Sequence, residues 1–201
     1  MYLSKIMITG VACRNPYEIH CVLWNLFPEV KDAERDFLFR VGKSDRNNAE
    51  ILMQSVREPE AFSRFAQILA RREYSLSLKD DQRLRFFLVA NPVKTIIDEG
   101  GRTTAKGEPK KCRVPLAREE EQRAWIERKL KDAATLETLV IDPVFPVRFR
   151  KSKENRAGKI QPVSFQGVLS VKKSEIMLEL VRGGIGPAKA FGCGLLSLAR
   201  A

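Results

Sequence analysis

The segment NPYEIH (residues 15–20) places the only histidine of the chain three residues after a tyrosine. Histidine is the usual proton donor or acceptor in catalysis, because its ordinary pKa lies nearest neutral pH. A tyrosine on the same side of a helix can orient such a group or relay a proton. The residues around them supply a helix start. Asn15 is a favoured N-cap, Pro16 suits the first helical position, and Glu18 stands where a capping-box carboxylate reaches back. In the helix so begun, Ile19, Val22, Leu23, Leu26 and Phe27 share one apolar face at about 100° per residue. His20 lies on its flank, with Tyr17 and Trp24 farther round. A lone histidine is more often structural than reactive, so spacing alone leaves His20 between the two roles.

Two other segments could meet an anion. GGIGPAKAFGCG (183–194) contains five glycines, with Pro187 and Lys189 among them. Glycines permit positive φ and let backbone amides approach a phosphate, and Lys189 adds a charge. The same composition also suits a plain connection between a helix and a strand, and both readings stand. The segment matches neither GxxxxGKS/T nor GxGxxG after a strand, which disfavours a nucleoside triphosphate site. RFRKSKENRAGK (148–159) holds six basic residues and one acidic. With KTIIDEGGRTTAKGEPKKCR (94–113), which contains Lys110, Lys111 and Arg113, it gathers positive charge on segments expected to be loops. Such segments suit a chain that clasps phosphates rather than packing inward.

Composition points the same way. Lys and Arg total 36 against 25 Asp and Glu, a net +11, which favours an anionic partner such as nucleic acid. A basic ribosome-associated or membrane-surface protein would show the same totals. No apolar run approaches the ~20 residues needed to cross a bilayer. MYLSKIMITG lacks the marks of a signal peptide and suits a strand instead. Cys13, Cys21, Cys112 and Cys193 form no CxxC pair and have one histidine to join them, so neither a metal site nor another cofactor is expected. Scattered thiols fit packing roles in a reducing cytoplasm.

The elements that must position these residues alternate in a recognisable order. Strands are expected over 2–8, 36–41, 50–56 and 74–78, with helices over 16–27 and 59–72. The second helix rests on the spacing of Phe62, Phe65, Ile68 and Leu69. After the polar break KDDQ (79–82) the order restarts. A strand over 83–90 precedes the long basic loop and a charged helix over 116–134, whose Trp125 faces the core. Two strands fall within 136–150 and 159–171, the first made irregular by prolines. A helix over 174–183 and a strand over 194–199 close the chain. The β-α-β-β-α-β order, met twice, predicts an α+β protein of two tandem ferredoxin-like domains, residues 1–80 and 81–201. The first carries the Tyr17–His20 helix, the second the basic and glycine-rich segments. The aromatic RNP-type motif of base-stacking sheets is absent.

Together these residues resemble one family, the CRISPR-associated endoribonucleases of the CasE type. The likeness runs nearly end to end, through MYLSKI, NPYEIH, DFLFRV, RLRFFLVANPVKT, KCRVPL, AWIERKL, GKIQPVSFQGVL and GIGPAKAFGCGLLSLA. It implies two ferredoxin-like domains, binding of a CRISPR repeat RNA hairpin, cleavage at the 3′ base of the stem, and assembly with other subunits of the type I-E surveillance complex. It also implies catalytic roles for Tyr17, His20 and Lys159, and an RNA-contacting segment comprising Arg148, Arg150, Lys151, Lys153 and Arg156. The position after the histidine, basic in some relatives, is Cys21 here. An RNase without a metal can use the substrate's own 2′-hydroxyl as nucleophile, leaving a 2′,3′-cyclic phosphate and a 5′-hydroxyl. It then needs a base, a proton donor and a cation beside the phosphate. A non-catalytic RNA-hairpin-binding subunit would use the same surfaces.

Overall fold

The computed structural model describes residues 1–27, 34–60, 62–98, 100–151 and 156–201. The first half is β1 (Tyr2–Thr9), α1 (Pro16–Trp24), β2 (Phe37–Ser44), β3 (Asn48–Ser55), β4 (Phe62–Ser63) and β5 (Ala66–Glu73). Its antiparallel sheet has the order β2-β3-β1-β5-β4. Strand alternation aims Ile6 and Ile8 at the helix, where they meet Ile19, Val22 and Leu23 together with Phe37, Phe39, Ile51 and Met53 in one buried cluster. All five apolar positions of the helical wheel are buried.

Among the described residues of 59–72 the expected helix does not form, and residues 62–73 are largely strand. Phe65 and Leu69 are exposed, whereas Ala66 is buried and Ile68 packs on the core. The free edge of β1 accounts for the difference. β5 pairs along it from Tyr2↔Glu73 to Ile8↔Ala66, with a bulge at Lys5/Ile6. A sheet edge with unpaired backbone groups draws a segment whose helical spacing is only nominal. Nor does the expected strand over 74–78 form. Tyr74, Leu76 and Leu78 instead lie in an extended connection that packs on the second core.

The second half contains β6 (Arg83–Ala90), β7 (Val93–Ile97), β8 (Lys111–Pro115), α2 (Glu119–Leu130), β9 (Ala134–Pro143), β10 (Val147–Lys151), β11 (Arg156–Ile160), β12 (Val163–Val171), α3 (Ser174–Gly183) and β13 (Leu196–Arg200). The sheet runs β13-β6-β12-β9, while β7–β8 and β10–β11 form separate hairpins. The region 148–159 expected to be a basic loop is therefore largely strand among its described residues, whereas 94–113 is strand only at its ends, 94–97 and 111–113. Trp125, Ile126 and Leu130 of α2 and Met177 and Val181 of α3 bury against Leu88, Phe165 and Leu169. The result is tandem ferredoxin-like architecture, in which β5 takes the fourth-strand place of the first unit and no second helix is seen there among the described residues. The units touch through Gln54, whose side-chain amide donates to Val181 O at 2.8 Å, and Arg40, which lies 4.6 Å over the Phe87 ring and bonds Ser197 Oγ at 3.0 Å.

One strand contact tests this register. Gly167 of β12 faces the Thr138 backbone so closely that a Cβ would overlap its carbonyl, and Thr138 Oγ1 accepts from Val168 N–H at 2.9 Å. Gly167→Ala must part β12 from β9. It is expected to lower stability by about 2–3 kcal/mol, as overpacking does. A urea midpoint equal to that of the parent would show that the strands spread freely.

Candidate functional site

Helix α1 starts as its sequence dictates. Asn15 Oδ1 accepts from Tyr17 N–H at 3.2 Å, and Pro16 fills the first turn, where no partner for its nitrogen is needed. The same amide reaches out of the helix. Asn15 Nδ2 donates to Arg150 O at 2.7 Å, and Arg150 N–H approaches Asn15 Oδ1 at 3.4 Å. Asn15 thus meets β10 as a strand residue would, through one donor and one acceptor. Strand β10 packs along α1 as a result.

His20 is half-buried in an aromatic setting. Its ring centroid lies 5.7 Å from that of Phe37 and 6.4 Å from that of Phe39, stacked on the latter. Trp24, one turn on, donates its indole N–H to His20 Nε2 at 3.1 Å. Nε2 therefore acts as an acceptor here. Tyr17, half-buried, precedes His20 by three residues on the same helix. The sequence puts Trp24 on the flank with Tyr17 and His20 but gives it no role. The i,i+4 spacing is the signal that could have found it.

The segment 147–160 is a β-hairpin rather than a loop. Its register sets Arg148 opposite Lys159, Phe149 opposite Gly158 and Arg150 opposite Ala157, ending at Lys151↔Arg156; Lys153 lies outside the described residues. Directly opposed residues share a face, so Arg148, Arg150 and Lys159 stand on one exposed side. The other side anchors the hairpin. Phe149 lies over Gly158, where a Cβ would strike its ring, and meets Phe191 with centroids 4.1 Å apart.

The β7–β8 hairpin carries Lys110, Lys111 and Arg113 on its exposed surface. Part of its charge is neutralised internally. Arg102 bonds Asp98 at 2.7 Å and draws that carboxyl down to about 2, and Lys94 pairs with Glu121 of α2 at 3.0 Å. Lys189 serves the fold. Its ammonium donates to Gly183 O at the end of α3, and burial, then repulsion from Arg35 and Lys129, lowers its pKa. Of the cysteines, Cys193 is buried, which pushes its thiol up to about 12. The structure thus brings Arg148, Arg150 and Lys159 onto one hairpin face beside α1, and Arg113 and Lys159 to one cavity. Lys110 and Lys111 stand apart on their own hairpin.

A tandem ferredoxin-like protein with a tyrosine–histidine helix docked on a cationic hairpin is the class that fold and site define. Residues 1–200 match the family described as CRISPR associated protein, and the chain belongs to that family. It is 44% identical over 205 residues to the CRISPR system Cascade subunit CasE of Escherichia coli K12, covering 99% of each chain. It is 32% identical over 222 residues to the CRISPR-associated endoribonuclease Cse3 of Thermus thermophilus, covering 99% of this chain and 100% of the relative. Among solved structures, the CRISPR-associated protein Cas6e of Escherichia coli K-12 superposes with a TM-score of 0.86 at 42% identity, covering all of both chains. CRISPR endoribonuclease Cse3 bound to a 19 nt RNA superposes with a TM-score of 0.77 at 31% identity, covering 99% of this chain and 100% of that one.

The Trp24 contact yields a test of positioning. Trp24→Phe keeps a ring against Phe37 (5.2 Å between centroids) but removes the bond to Nε2. Because this bond occupies the Nε2 lone pair before RNA arrives, its loss, worth about 1 kcal/mol, is expected to speed RNA cleavage by up to about fivefold without weakening RNA binding. An unchanged rate would reduce Trp24 to a packing residue.

Proposed function

We propose that the protein is a metal-independent endoribonuclease that binds the CRISPR repeat stem-loop and cuts precursor RNA at the 3′ base of the stem. The observation that carries this reading is the Asn15 bridge, which fixes the helix of Tyr17 and His20 against the cationic hairpin. The names of two relatives, a Cascade subunit and an endoribonuclease, and the RNA-bound form of the second support it.

In the proposed reaction the 2′-oxygen before the scissile phosphate bonds to phosphorus and the bond to the 5′-oxygen breaks. One proton leaves the 2′-hydroxyl and one reaches the departing 5′-oxygen. The products are a 2′,3′-cyclic phosphate and a 5′-hydroxyl. His20 exchanges a proton with the reacting oxygens, Tyr17 orients or relays it, and Lys159 stabilises the charge gathered on phosphorus. In the RNA-free geometry the lone pair of Nε2 is held by Trp24. Chemistry at Nε2 therefore requires the ring or the indole to turn when RNA arrives. The product stays bound as the hairpin end of a cytoplasmic surveillance complex, which makes turnover single.

The decisive experiment mixes excess protein with a labelled repeat hairpin in EDTA. One cut is expected. His20→Ala should slow it by about 10²–10⁴-fold, the range for a lost acid–base group, with hairpin affinity within a few-fold. A single 2′-deoxy substitution before the scissile phosphate should abolish cutting. A deoxy substrate cut at the same phosphate would refute the mechanism, and binding without any cut would make the protein an RNA-binding subunit only.

The hairpin face is tested by salt. Arg148→Ala with Arg150→Ala should weaken binding and flatten the slope of log affinity against log salt by roughly 0.7–0.9 for each phosphate no longer neutralised. An unaltered slope would make this face a merely solvated surface.

A further inference from the structure

A cavity of about 270 Å³ opens between the β7–β8 hairpin, the end of β11 and the glycine-rich loop. Its walls include Pro187 and Phe191, and the cations Arg113 and Lys159 line it as well. Two amides complete it. Gln161 is partly committed, donating to Val144 O at 3.1 Å. Asn91 is 7% exposed, and its Oδ1 is buried without a hydrogen-bond partner among the described residues. A buried amide oxygen left unpaired is uncommon, and because it is sealed off in this geometry a turn of the Asn91 side chain is what brings it to an occupant of the cavity. Pro92 follows Asn91 and confines its backbone to extended geometry, and Pro92 O accepts from Leu116 N–H at 3.0 Å, so the amide is presented from a braced turn.

The chemistry of this lining is that of a nucleotide site. Proline and phenylalanine walls accept the face of a base, an amide bonds a base edge, and cations take the phosphate. A bare phosphate would not need the apolar walls. The volume is below the ~300–1,000 Å³ usual for larger ligands and is of the order of one nucleoside. Lys159 belongs both to this lining and to the outward face of the β10–β11 hairpin. The cavity therefore adjoins the surface on which the stem is placed.

We propose that this cavity takes one unpaired nucleotide flanking the repeat stem, its base on Asn91 and its phosphate on Arg113 and Lys159. The inference rests on the endoribonuclease reading and deepens it, because it names a determinant of RNA choice outside the duplex. The site is built from ANP of ANPVKT, KCRVP and GIGPAKAF, segments separated by about 20 to 70 residues and gathered by the topology of the second unit.

The test needs no variant at first. Hairpins extended at both ends are made with one abasic nucleotide at each flanking position in turn, and their affinity for the wild-type protein is measured. One position should lose about fivefold or more, the scale of a lost stacked base, while its neighbours lose little. Asn91→Leu should bind the intact RNA more weakly and show no further loss with the sensitive abasic RNA, since both changes remove the same interaction. A flat abasic scan on a hairpin that is still bound and cut would overturn the cavity assignment alone. Additive losses from Asn91→Leu and the abasic site would also overturn it. Sensitivity to a neutral phosphate analogue but not to base removal would assign the cavity to phosphate and refute the base. If no hairpin is bound or cut, the endoribonuclease reading falls first.

Discussion

One side-chain amide sets the relation between the helix of Tyr17 and His20 and the cationic surface. Asn15 caps α1 through Tyr17 N–H and pairs with Arg150, 135 residues away in sequence. Each bond is worth only about 1 kcal/mol, so the stabilisation is modest. The geometric consequence is larger. The residue that fixes where α1 begins also fixes where β10 lies, and the hairpin cannot slide along the helix without breaking its bonds to that residue. Tyr17 and His20, counted from the cap, acquire defined positions relative to Arg148 and Arg150. The aromatic pair Phe149–Phe191 anchors the same hairpin to the glycine-rich loop, and Gly158 leaves room for the Phe149 ring.

The glycine-rich loop is a joint before it is anything else. Gly184 (φ 71°) and Gly186 (φ 83°) adopt the left-handed region, and a Cβ on the first would meet Leu38 of β2, on the second the ring of Trp125. The loop therefore lies against both units at once. Ile185 N–H bonds Gly194 O at 2.9 Å and Gly194 N–H bonds Val89 O at 2.7 Å, which ties the loop ends together and to β6. Lys189 closes it onto the carbonyl end of α3, where a cation is favoured by the helix dipole. These contacts explain the glycines by packing, and they occupy the one lysine that a phosphate cradle would have used. What remains for a ligand is the wall formed by Pro187 and Phe191.

Local signals in the sequence are legible where one physical cause dominates. Asn15–Pro16 announces α1, its apolar stripe is the core face, and Trp125 is core, 2% exposed and stacked on Phe165. The helix inferred from Phe62, Phe65, Ile68 and Leu69 fails because the competing cause is non-local, the open edge of β1. The basic hairpins are hidden for a related reason. Val147 and Phe149 do alternate with Arg148 and Arg150, but two apolar residues among so many charges resemble a solvated run, and the partner strand follows the wholly polar sequence SKEN. The Asn15–Arg150 bridge is not legible at all. An N-cap asparagine commits one oxygen locally, and nothing in its neighbourhood says where its nitrogen will point.

The net charge of +11 takes its meaning from how cations are distributed. Several are already balanced: Arg57 with Asp36 at 2.6 Å, Arg83 with Glu137 at 2.7 Å, Arg102 with Asp98 and Lys94 with Glu121. By contrast, Arg148 faces Lys159 directly across the hairpin, and among the described residues neither they nor Arg150 forms an ion pair. Like charges opposed across a strand pair destabilise it by a few tenths of a kcal/mol in the absence of a counterion. A fold indifferent to ligands would place a carboxylate at one of those positions, as it does with Glu137 beside Arg83. Keeping the two cations face to face stores a small repulsion that closely spaced anionic charges would relieve. The same arrangement places Lys159 on the hairpin surface and in the lining of the Asn91 cavity, so the two proposed contacts share one cation.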